Sequence, residues 1–308
     1  MGDCNLVVEQ EADMNVARIG TRVGVIGAGI MGAGIAQRCA MHDYPVTLVD
    51  VHPEVLRLAG QRIRESLEKF EKKNSITSEG CSAIMQRIAF RTELGHVSGC
   101  DLVIEAVNED ADLKRILFND LGRICRVDTI LASNTSSIPI HDLARETNRP
   151  GRVIGLHFMN PVPLISLVEL IRSSLTVNEV VRTCAEFVRA LGCEVVQSED
   201  RPGFIINRIL MPMINEAAHA LRSGVASAAD IDRAMVLGTK QPIGPLALAD
   251  LIGLDTVVHI LETLQDGFGD DRFRPCPLLE EYVEQNRLGR KTGHGFFEYG
   301  DKCETALV

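Results

Sequence analysis

The first two-thirds of the chain alternate short, almost wholly apolar runs with longer segments in which apolar residues recur every three or four positions. The short runs are RVGVIG (22–27), PVTLVD (45–50), CDLVIEAV (100–107), TILAS (129–133), RVIGLHF (152–158), SLVELI (166–171) and CEVVQSED (193–200). A run without polar alternation is typical of a strand buried on both faces. Strands that alternate with helices predict an α/β domain with a mainly parallel sheet and helices on both of its faces.

The pattern changes near residue 200. From 202 to about 286 helical spacing dominates, and no segment has the pattern of a convincing strand. One predicted helix carries apolar residues at Ile205, Ile209, Met213, Ala217 and Leu221. We expect an acidic N-terminal extension (1–20), an α/β domain (21–200) with a helical hairpin at about 53–88, and an all-α domain (201–308). The apolar surface of the all-α domain is large for its size, which favours a homodimer.

Composition and charge exclude several classes of protein. The chain has 308 residues, a formal net charge of −10 and a pI of about 5.3, which is a poor match for nucleic acid or an anionic membrane. Nine scattered cysteines fit a reducing compartment, and the histidines show no metal-ligand spacing, so we expect no metal site. The acidic first twenty residues resemble neither a secretory signal nor a transit peptide. We therefore expect a cytoplasmic protein that does not enter a membrane.

A glycine-rich turn follows the first predicted strand and opens the first predicted helix. Gly27 permits the tight turn, Gly29 lets a pyrophosphate approach the backbone, and Gly32 lets the helix pack on the strand. The second strand ends in Asp50, where the ribose hydroxyls of NAD would bind, and no arginine follows it for a phosphorylated ribose. The context predicts a Rossmann-type, doubly wound domain that binds NAD. The expected contacts are Gly27, Gly29, Ile30, Met31, Gly32 and Asp50.

Polar residues follow two later strands of the predicted sheet. Asn134 and Ser136 belong to the turn SNTSS, and Glu109 and Lys114 follow the strand DLVIEAV. Ligands bind beyond the carboxyl ends of parallel strands, which favours a functional role. Serine, threonine and asparagine are also ordinary turn residues, and Glu109 with Lys114 would equally form an exposed pair at a helix start.

The apolar segment GLHFMNPVPLISLVEL (155–170) carries His157 and Glu169 with little other polarity. One interpretation is a buried, hydrogen-bonded pair without chemistry. The other is a general base with a carboxylate that fixes its tautomer, which an alcohol oxidation beside a hydride carrier requires. Asn160 would then donate to the nicotinamide amide or to the substrate carbonyl.

Seven ordered motifs together resemble the L-3-hydroxyacyl-CoA dehydrogenases, most closely the short-chain 3-hydroxybutyryl-CoA enzymes. They are GVIGAGIMGAGIAQ, DLVIEAV followed by DLK, ASNTSS, HFMNPVP with LVEL, RPGFIINRILMPMINEA, GPLALADLIGLDT and GRKTGHGFFEY, which cover nearly all of residues 22–299. The resemblance implies reversible, NAD-dependent oxidation of an (S)-3-hydroxyacyl-CoA. It also implies a dimer formed by the helical domain, which would close the cleft over the substrate.

The resemblance also implies roles for individual residues. His157 would be the general base and Glu169 its orienting partner, while Ser136 and Asn207 would hold the 3-oxygen and the thioester region of the substrate. The cofactor's ribose and nicotinamide would be surrounded by Glu109, Lys114, Asn134, Asn160 and Lys291. Lys72 and Lys73 would meet the phosphates of CoA, although the sequence EKKN is equally typical of a solvated helix end.

The sequence departs from the pattern of that family at three positions. Met159 replaces a common aromatic residue, Ser166 replaces a common lysine, and Asn108 replaces a larger residue before Glu109. Two other functions fit some of the motifs: a dehydrogenase of free hydroxy acids or sugar acids, and a non-catalytic NAD-binding protein. A dehydrogenase of free acids would act equally well on substrates without the CoA thioester. A non-catalytic protein would bind NAD without turning over any substrate.

Overall fold

A computed structural model of the chain describes residues 22–300, so the expected acidic extension lies outside the described residues. Eight strands occur in this part of the chain: β1 Val23–Ile26, β2 Val46–Val49, β3 Ile88–Arg91, β4 Leu102–Glu105, β5 Ile130–Ser133, β6 Val153–Phe158, β7 Leu167–Arg172 and β8 Glu194–Glu199. They form one sheet in the order β3-β2-β1-β4-β5-β6-β7-β8. All neighbours are parallel except β6 and β7, which are antiparallel.

The helices of the same part of the chain are α1 Ile30–Met41, α2 Pro53–Lys72, α3 Ser78–Gln86, α4 Ala111–Ile124, α5 Ile140–Arg145, α6 Asn178–Ala190, α7 Ile206–Arg222, α8 Ala228–Thr239, α9 Pro245–Ile252, α10 Leu254–Phe268 and α11 Pro277–Glu284. Short 3-10 helices span Leu94–Val97, Pro150–Arg152, Asp271–Phe273 and Arg290–Thr292. Helices α2 and α3 occupy the segment that was expected to form a helical hairpin. No helix within residues 22–300 is long and apolar enough to cross a membrane.

Two hydrophobic cores cover the two faces of the sheet. One is formed with α1, α2, α3 and α6, and the other with α4 and α5. Strands β1, β4, β5 and β6 are buried along their whole length, which explains their unbroken apolar runs. A third core joins α7, α9, α10 and α11 into the helical part of the chain. The prediction of a doubly wound, mainly parallel sheet followed by an all-α domain is confirmed.

Two short elements were not predicted. Strand β3 is a half-exposed edge strand of four residues that follows α3 almost directly, so its pattern merges with the end of that helix. Helix α5 has only six residues, which is too short for a helical period to show in the sequence.

The apolar stripe predicted for α7 is wrong in part. Ile209 is 67% exposed, whereas Met211, Ile214 and Ala218 are buried. Residues four apart advance about 40° around a helix with 3.6 residues per turn, so five such positions do not share one face. The helix buries a face with mixed spacing of three and four residues and leaves Ile209 on its outer side.

Candidate active site

The carboxyl ends of the parallel strands bring most of the predicted site residues to one edge of the sheet. The glycine turn follows β1, Asp50 follows β2, the SNTSS turn follows β5, and His157 lies near the end of β6. The strand order reverses between β1 and β4, and this is the point at which doubly wound sheets bind their ligands.

The three glycines of the first turn are constrained in different ways. Gly27 has a φ of +93°, and a Cβ there would lie 2.5 Å from the carbonyl oxygen of Ala106. A Cβ on Gly32 would lie 1.7 Å from the carbonyl oxygen of Gly27. Gly29 has an ordinary φ of −65° and no atom within 4 Å of the Cβ position. The protein itself therefore does not require glycine at 29, and the open space fits a ligand that approaches the backbone.

The Asp50 carboxylate fixes the same turn from the neighbouring strand. Its Oδ2 accepts the backbone N–H of Ala28 (2.9 Å), and its Oδ1 accepts that of His52 (3.0 Å). Ile30 and Met31 begin α1, so their amides have no partner within the helix and are available to an anion. An acid at the end of β2 and amides without helical partners at the start of α1 fit NAD.

Glu109 and Lys114 form a partly buried cluster with the SNTSS turn. The carboxylate of Glu109 accepts the backbone N–H groups of Ser136 (3.0 Å) and Ser137 (3.2 Å), and the hydroxyl of Thr135 also donates to it. The ammonium of Lys114 lies 2.9 Å from Glu109 and has a side-chain exposure of 1%. The alternative of an exposed pair therefore fits Glu109 but not Lys114, whose ammonium is buried under the turn.

A second carboxylate completes this cluster and was missed in the sequence. Glu105, the last residue of β4, is fully buried and lies 2.9 Å from Lys114. A lone acid within the apolar run of β4 is the sequence signal that could have identified Glu105.

The charges of the cluster shift the pKa values of its members. Burial raises the pKa of Glu109, but the ammonium of Lys114 and the turn hydroxyls outweigh it and lower that pKa to about 2. Burial lowers the pKa of Lys114, and the two carboxylates more than reverse this.

The turn is also tied to the strand that carries His157. Oδ1 of Asn134 accepts the backbone N–H of Phe158 (2.9 Å), so Asn134 joins the end of β5 to the end of β6. Ser136 is half-buried beside this connection.

His157 and Glu169 face each other across the antiparallel pair β6 and β7. Their positions are directly opposed in register, and Nδ1 of His157 lies 2.7 Å from Oε2 of Glu169. Oε1 of Glu169 accepts the backbone N–H groups of Ile205 (3.0 Å) and Ile206 (2.9 Å). Burial raises the pKa of Glu169, but the hydrogen bond from His157 and these amides outweigh it and lower the pKa. Because the carboxylate is ionised, Nδ1 carries a proton and Nε2 is left as the acceptor.

The start of α7 supplies further neighbours of the imidazole. The ring of Phe204 meets that of His157 edge-on, with centroids 5.8 Å apart. Asn207 is buried in the first turn of α7, directly after the two amides that bind Glu169. The pair formed by His157 and Glu169, called the dyad below, therefore lies with Phe204 and the first turn of α7 where the sheet meets the helical part of the chain.

The other predicted positions lie apart from this network. Asn160 is exposed in the turn after β6, next to a cis peptide bond with Pro161. The ammonium of Lys291 contacts Asp255 at the start of α10. Lys72 and Lys73 are exposed at the end of α2. Among residues 22–300, no hydrogen bond joins these four to the dyad or to Glu109, and no group of three or more His, Cys, Asp or Glu is arranged to hold a metal.

Comparison with known proteins decides the family. Residues 22–201 match the model of the 3-hydroxyacyl-CoA dehydrogenase NAD-binding domain, and residues 203–299 match that of the C-terminal domain of the same enzymes. The chain belongs to the 3-hydroxyacyl-CoA dehydrogenase family. It is an NAD-dependent dehydrogenase, and the resemblance predicted from its motifs is confirmed.

Individual relatives match over almost their whole length. The chain is 47% identical over 284 residues to the 3-hydroxybutyryl-CoA dehydrogenase of Bradyrhizobium diazoefficiens, with 92% of this chain and 97% of that protein covered. It is 48% identical over 278 residues to a probable 3-hydroxybutyryl-CoA dehydrogenase of Deinococcus radiodurans, with 90% and 100% covered. The crystal structure of the (S)-3-hydroxybutyryl-CoA dehydrogenase of Ralstonia eutropha superposes with a TM-score of 0.88 at 42% identity, with 91% and 99% covered.

The structure explains one departure from the family pattern. The buried guanidinium of Arg38 on α1 donates to the hydroxyl of Ser166 (3.2 Å) and to the carbonyl oxygens of Pro163 (3.0 Å) and Leu191 (2.9 Å). A lysine at 166 would bring a second cation against this guanidinium. Arg38 therefore ties the cofactor helix to the segment after His157. Nothing in the structure explains Met159.

Two glycine variants should separate ligand binding from folding. Gly29→Ala should leave the melting temperature nearly unchanged and weaken NADH binding, because only the ligand needs the open space. Gly32→Ala should lower the stability by several kcal/mol, because its Cβ would overlap backbone. Thermal unfolding and NADH fluorescence titration of both variants measure these effects. A large loss of stability in Gly29→Ala with intact NADH binding would contradict the assignment.

The depressed pKa of Glu109 predicts a pH-dependent contribution to stability. The folded pKa of about 2 lies below the ordinary value of 4.5. The stabilisation is therefore fully present above pH 4.5 and is lost as the pH falls from 4.5 towards 2. Glu109→Gln should lower the free energy of unfolding by about 2 kcal/mol at pH 7, which is less than the full pKa shift implies because the side chain is partly exposed to solvent. The difference should shrink in urea unfolding below pH 4.5. A difference that stays constant with pH would contradict this prediction.

Proposed function

We propose that this dehydrogenase oxidises (S)-3-hydroxyacyl-CoA, chiefly short-chain 3-hydroxybutyryl-CoA, to the 3-oxoacyl-CoA, reversibly. His157 is the general base of the reaction, and Glu169 orients it. The observation that carries the proposal is the 2.7 Å contact between Nδ1 of His157 and Oε2 of the buried Glu169 at the ligand-binding edge of the sheet. The names of the relatives from Bradyrhizobium diazoefficiens and Ralstonia eutropha support the acyl chain length.

The proton and the hydride of the alcohol leave by separate routes. Nε2 of His157 accepts the proton of the 3-hydroxyl, and the ionised Glu169 stabilises the imidazolium that forms. When bound, NAD supplies the acceptor for the hydride. In the reverse direction the imidazolium returns its proton to the 3-oxygen.

The groups around the dyad complete the proposed substrate site. Ser136 and Asn207 hold the 3-oxygen and the thioester region. The support is that Ser136 lies in the turn fixed by Glu109, while Asn207 enters on the helix whose first amides bind Glu169. The two positions come from different elements, the turn after β5 and the first turn of α7, and each element is tied by hydrogen bonds to β6 or to Glu169.

The remaining proposed contacts concern the cofactor and the CoA phosphates. Glu109, Lys114, Asn134, Asn160 and Lys291 surround the ribose and nicotinamide of NAD. The first three have direct structural support, because they lie in or under the turn at the ligand-binding edge. Contact of Lys72 and Lys73 with CoA stays a prediction, since their exposure at the end of α2 fits a solvated helix end as well.

We also propose a homodimer formed by the helical domain (201–308), which closes over the substrate. The outer side of α7 exposes Ile209 beside the half-buried Pro212, and both line a groove of about 730 Å³ whose other lining residues are largely charged. An exposed apolar side chain surrounded by charged groups fits the centre of a subunit interface with a polar rim.

The proposed setting is the cytoplasm and the metabolism of fatty acids. The seven cysteines within the described residues are free thiols, which supports a reducing compartment. The proposed substrates are thioesters of short 3-hydroxy fatty acids, which places the reaction in that metabolism.

The dyad is tested by removing the base. His157→Gln should lower the turnover of acetoacetyl-CoA with NADH by about 10²–10⁴-fold, because proton transfer is lost, and should leave the Kd for NADH within about threefold. His96→Gln, which changes an exposed histidine, is the matched control and should keep full turnover.

The same assay separates the competing functions. Equal rates with acetoacetate and acetoacetyl-CoA would identify a dehydrogenase of free hydroxy acids instead. Unchanged turnover in His157→Gln would refute the assignment of His157 as the general base.

The dimer proposal predicts that a charge at Ile209 separates the subunits. Ile209→Asp should convert a dimer into a monomer in sedimentation velocity, because an aspartate cannot be buried unpaired in an apolar interface. Ile116→Asp on α4 is the matched control, since Ile116 is 63% exposed and lies in the other domain. A dimer that persists in Ile209→Asp places the interface elsewhere.

A further inference from the structure

Glu105 is a buried acid for which the mechanism above has no role. It lies opposite Ile26 of β1 and Ser133 of β5, so it sits directly below the glycine turn and the SNTSS turn. Its side chain is fully buried. An acid this deep in a sheet is costly unless its charge is compensated, so its presence at this point needs a reason.

The hydrogen bonds of Glu105 are those of an ionised carboxylate. Oε1 accepts the backbone N–H of Val107 (2.8 Å) and lies 2.9 Å from the ammonium of Lys114. Oε2 accepts the hydroxyl of Ser133 (2.6 Å). The same Ser133 oxygen accepts the backbone N–H of Thr135 (3.2 Å), so its own hydrogen points to Glu105. Burial raises the pKa of Glu105 above its ordinary value, and the ammonium of Lys114 and the hydroxyl of Ser133 offset only part of that rise. Both oxygens nevertheless contact only donors among residues 22–300, which fits the ionised form.

The cluster therefore holds two carboxylates and one ammonium. Lys114 lies 2.9 Å from both Glu105 and Glu109, and Glu109 in turn holds the turn that carries Ser136. Without Glu105 the cluster would be neutral. With it, one net negative charge lies at the edge of the sheet that binds the cofactor.

We propose that Glu105 is a positioning residue that acts through Lys114 and gives the cofactor site a net negative charge, which favours oxidised over reduced NAD. The nicotinamide ring is cationic when oxidised and neutral when reduced, so the charge acts on one form only. The proposal rests on the proposed contacts of Glu109 and Lys114 with the cofactor. It deepens them by assigning to this cluster the preference between the two redox forms.

The test is the ratio of two dissociation constants, measured on the full-length enzyme without turnover. NADH is titrated by its fluorescence, and NAD⁺ by competition with NADH. Glu105→Gln should weaken NAD⁺ by about three- to tenfold more than NADH, because it removes one negative charge. Glu93→Gln removes an exposed carboxylate elsewhere in the same domain and should leave the ratio within about twofold.

Two further variants keep the test decisive if Glu105→Gln does not fold. Glu109→Gln removes a charge from the same cluster at a partly exposed position and should shift the ratio in the same direction. The double variant Glu105→Gln/Lys114→Met removes one charge of each sign, so its ratio should return to within about twofold of the parent. A purely structural role for Glu105 predicts no such return.

The outcomes separate the two proposals. If NAD⁺ and NADH weaken in parallel in Glu105→Gln or Glu109→Gln, so that their ratio is constant, the charge proposal is overturned while the cofactor contacts stand. If neither affinity changes in Glu109→Gln, the proposed contacts of the cluster with the cofactor fail, and the charge proposal fails with them.

Discussion

The rest of the site depends on the hydrogen bonds that the carboxylate of Glu169 accepts. One oxygen holds Nδ1 of His157, and the other accepts the first two amides of the segment that becomes α7. A buried anion is stable only with such donors, so the strand pair, the imidazole and the start of the helical domain need one another. The orientation of the base is thereby fixed by the junction between the two folded parts of the chain.

The backbone at this junction is held in an unfavourable conformation. Gly203 has a φ of +72°, and the following Phe204 has a φ of +49°, which costs a non-glycine residue about 1–2 kcal/mol. The turn directs the amides of Ile205 and Ile206 at Glu169 and places the Phe204 ring against His157. These contacts offset the cost, and so a bulky residue persists where glycine or asparagine would be easier.

The sequence predicted those helices and strands that are long enough to show a hydrophobic period. It also predicted functional residues where the geometry of a short motif by itself requires a particular residue type. Gly27, Gly32 and Asp50 are of this kind. The tight turn at Gly27, the close packing of the helix at Gly32 and the position of Asp50 at the end of a strand can all be inferred from neighbouring residues. The fold class followed from the alternation of buried strands and helices. Glu105 was missed because its role depends on Lys114 and Ser133, which only the sheet brings together. The exposed side of α7 was missed because spacing alone does not fix which face of a helix packs.

Arg38 constrains which residues can stand at position 166. Its buried guanidinium lies beside position 166 and donates to the hydroxyl of Ser166 and to the carbonyl oxygens of Pro163 and Gly192. Serine at 166 accompanied by a small apolar residue at 38 would leave these carbonyl oxygens without a donor. Lysine at 166 together with Arg38 would bury two cations in contact. Substitutions at 38 and 166 are therefore coupled, so their effects on the free energy of unfolding should not add.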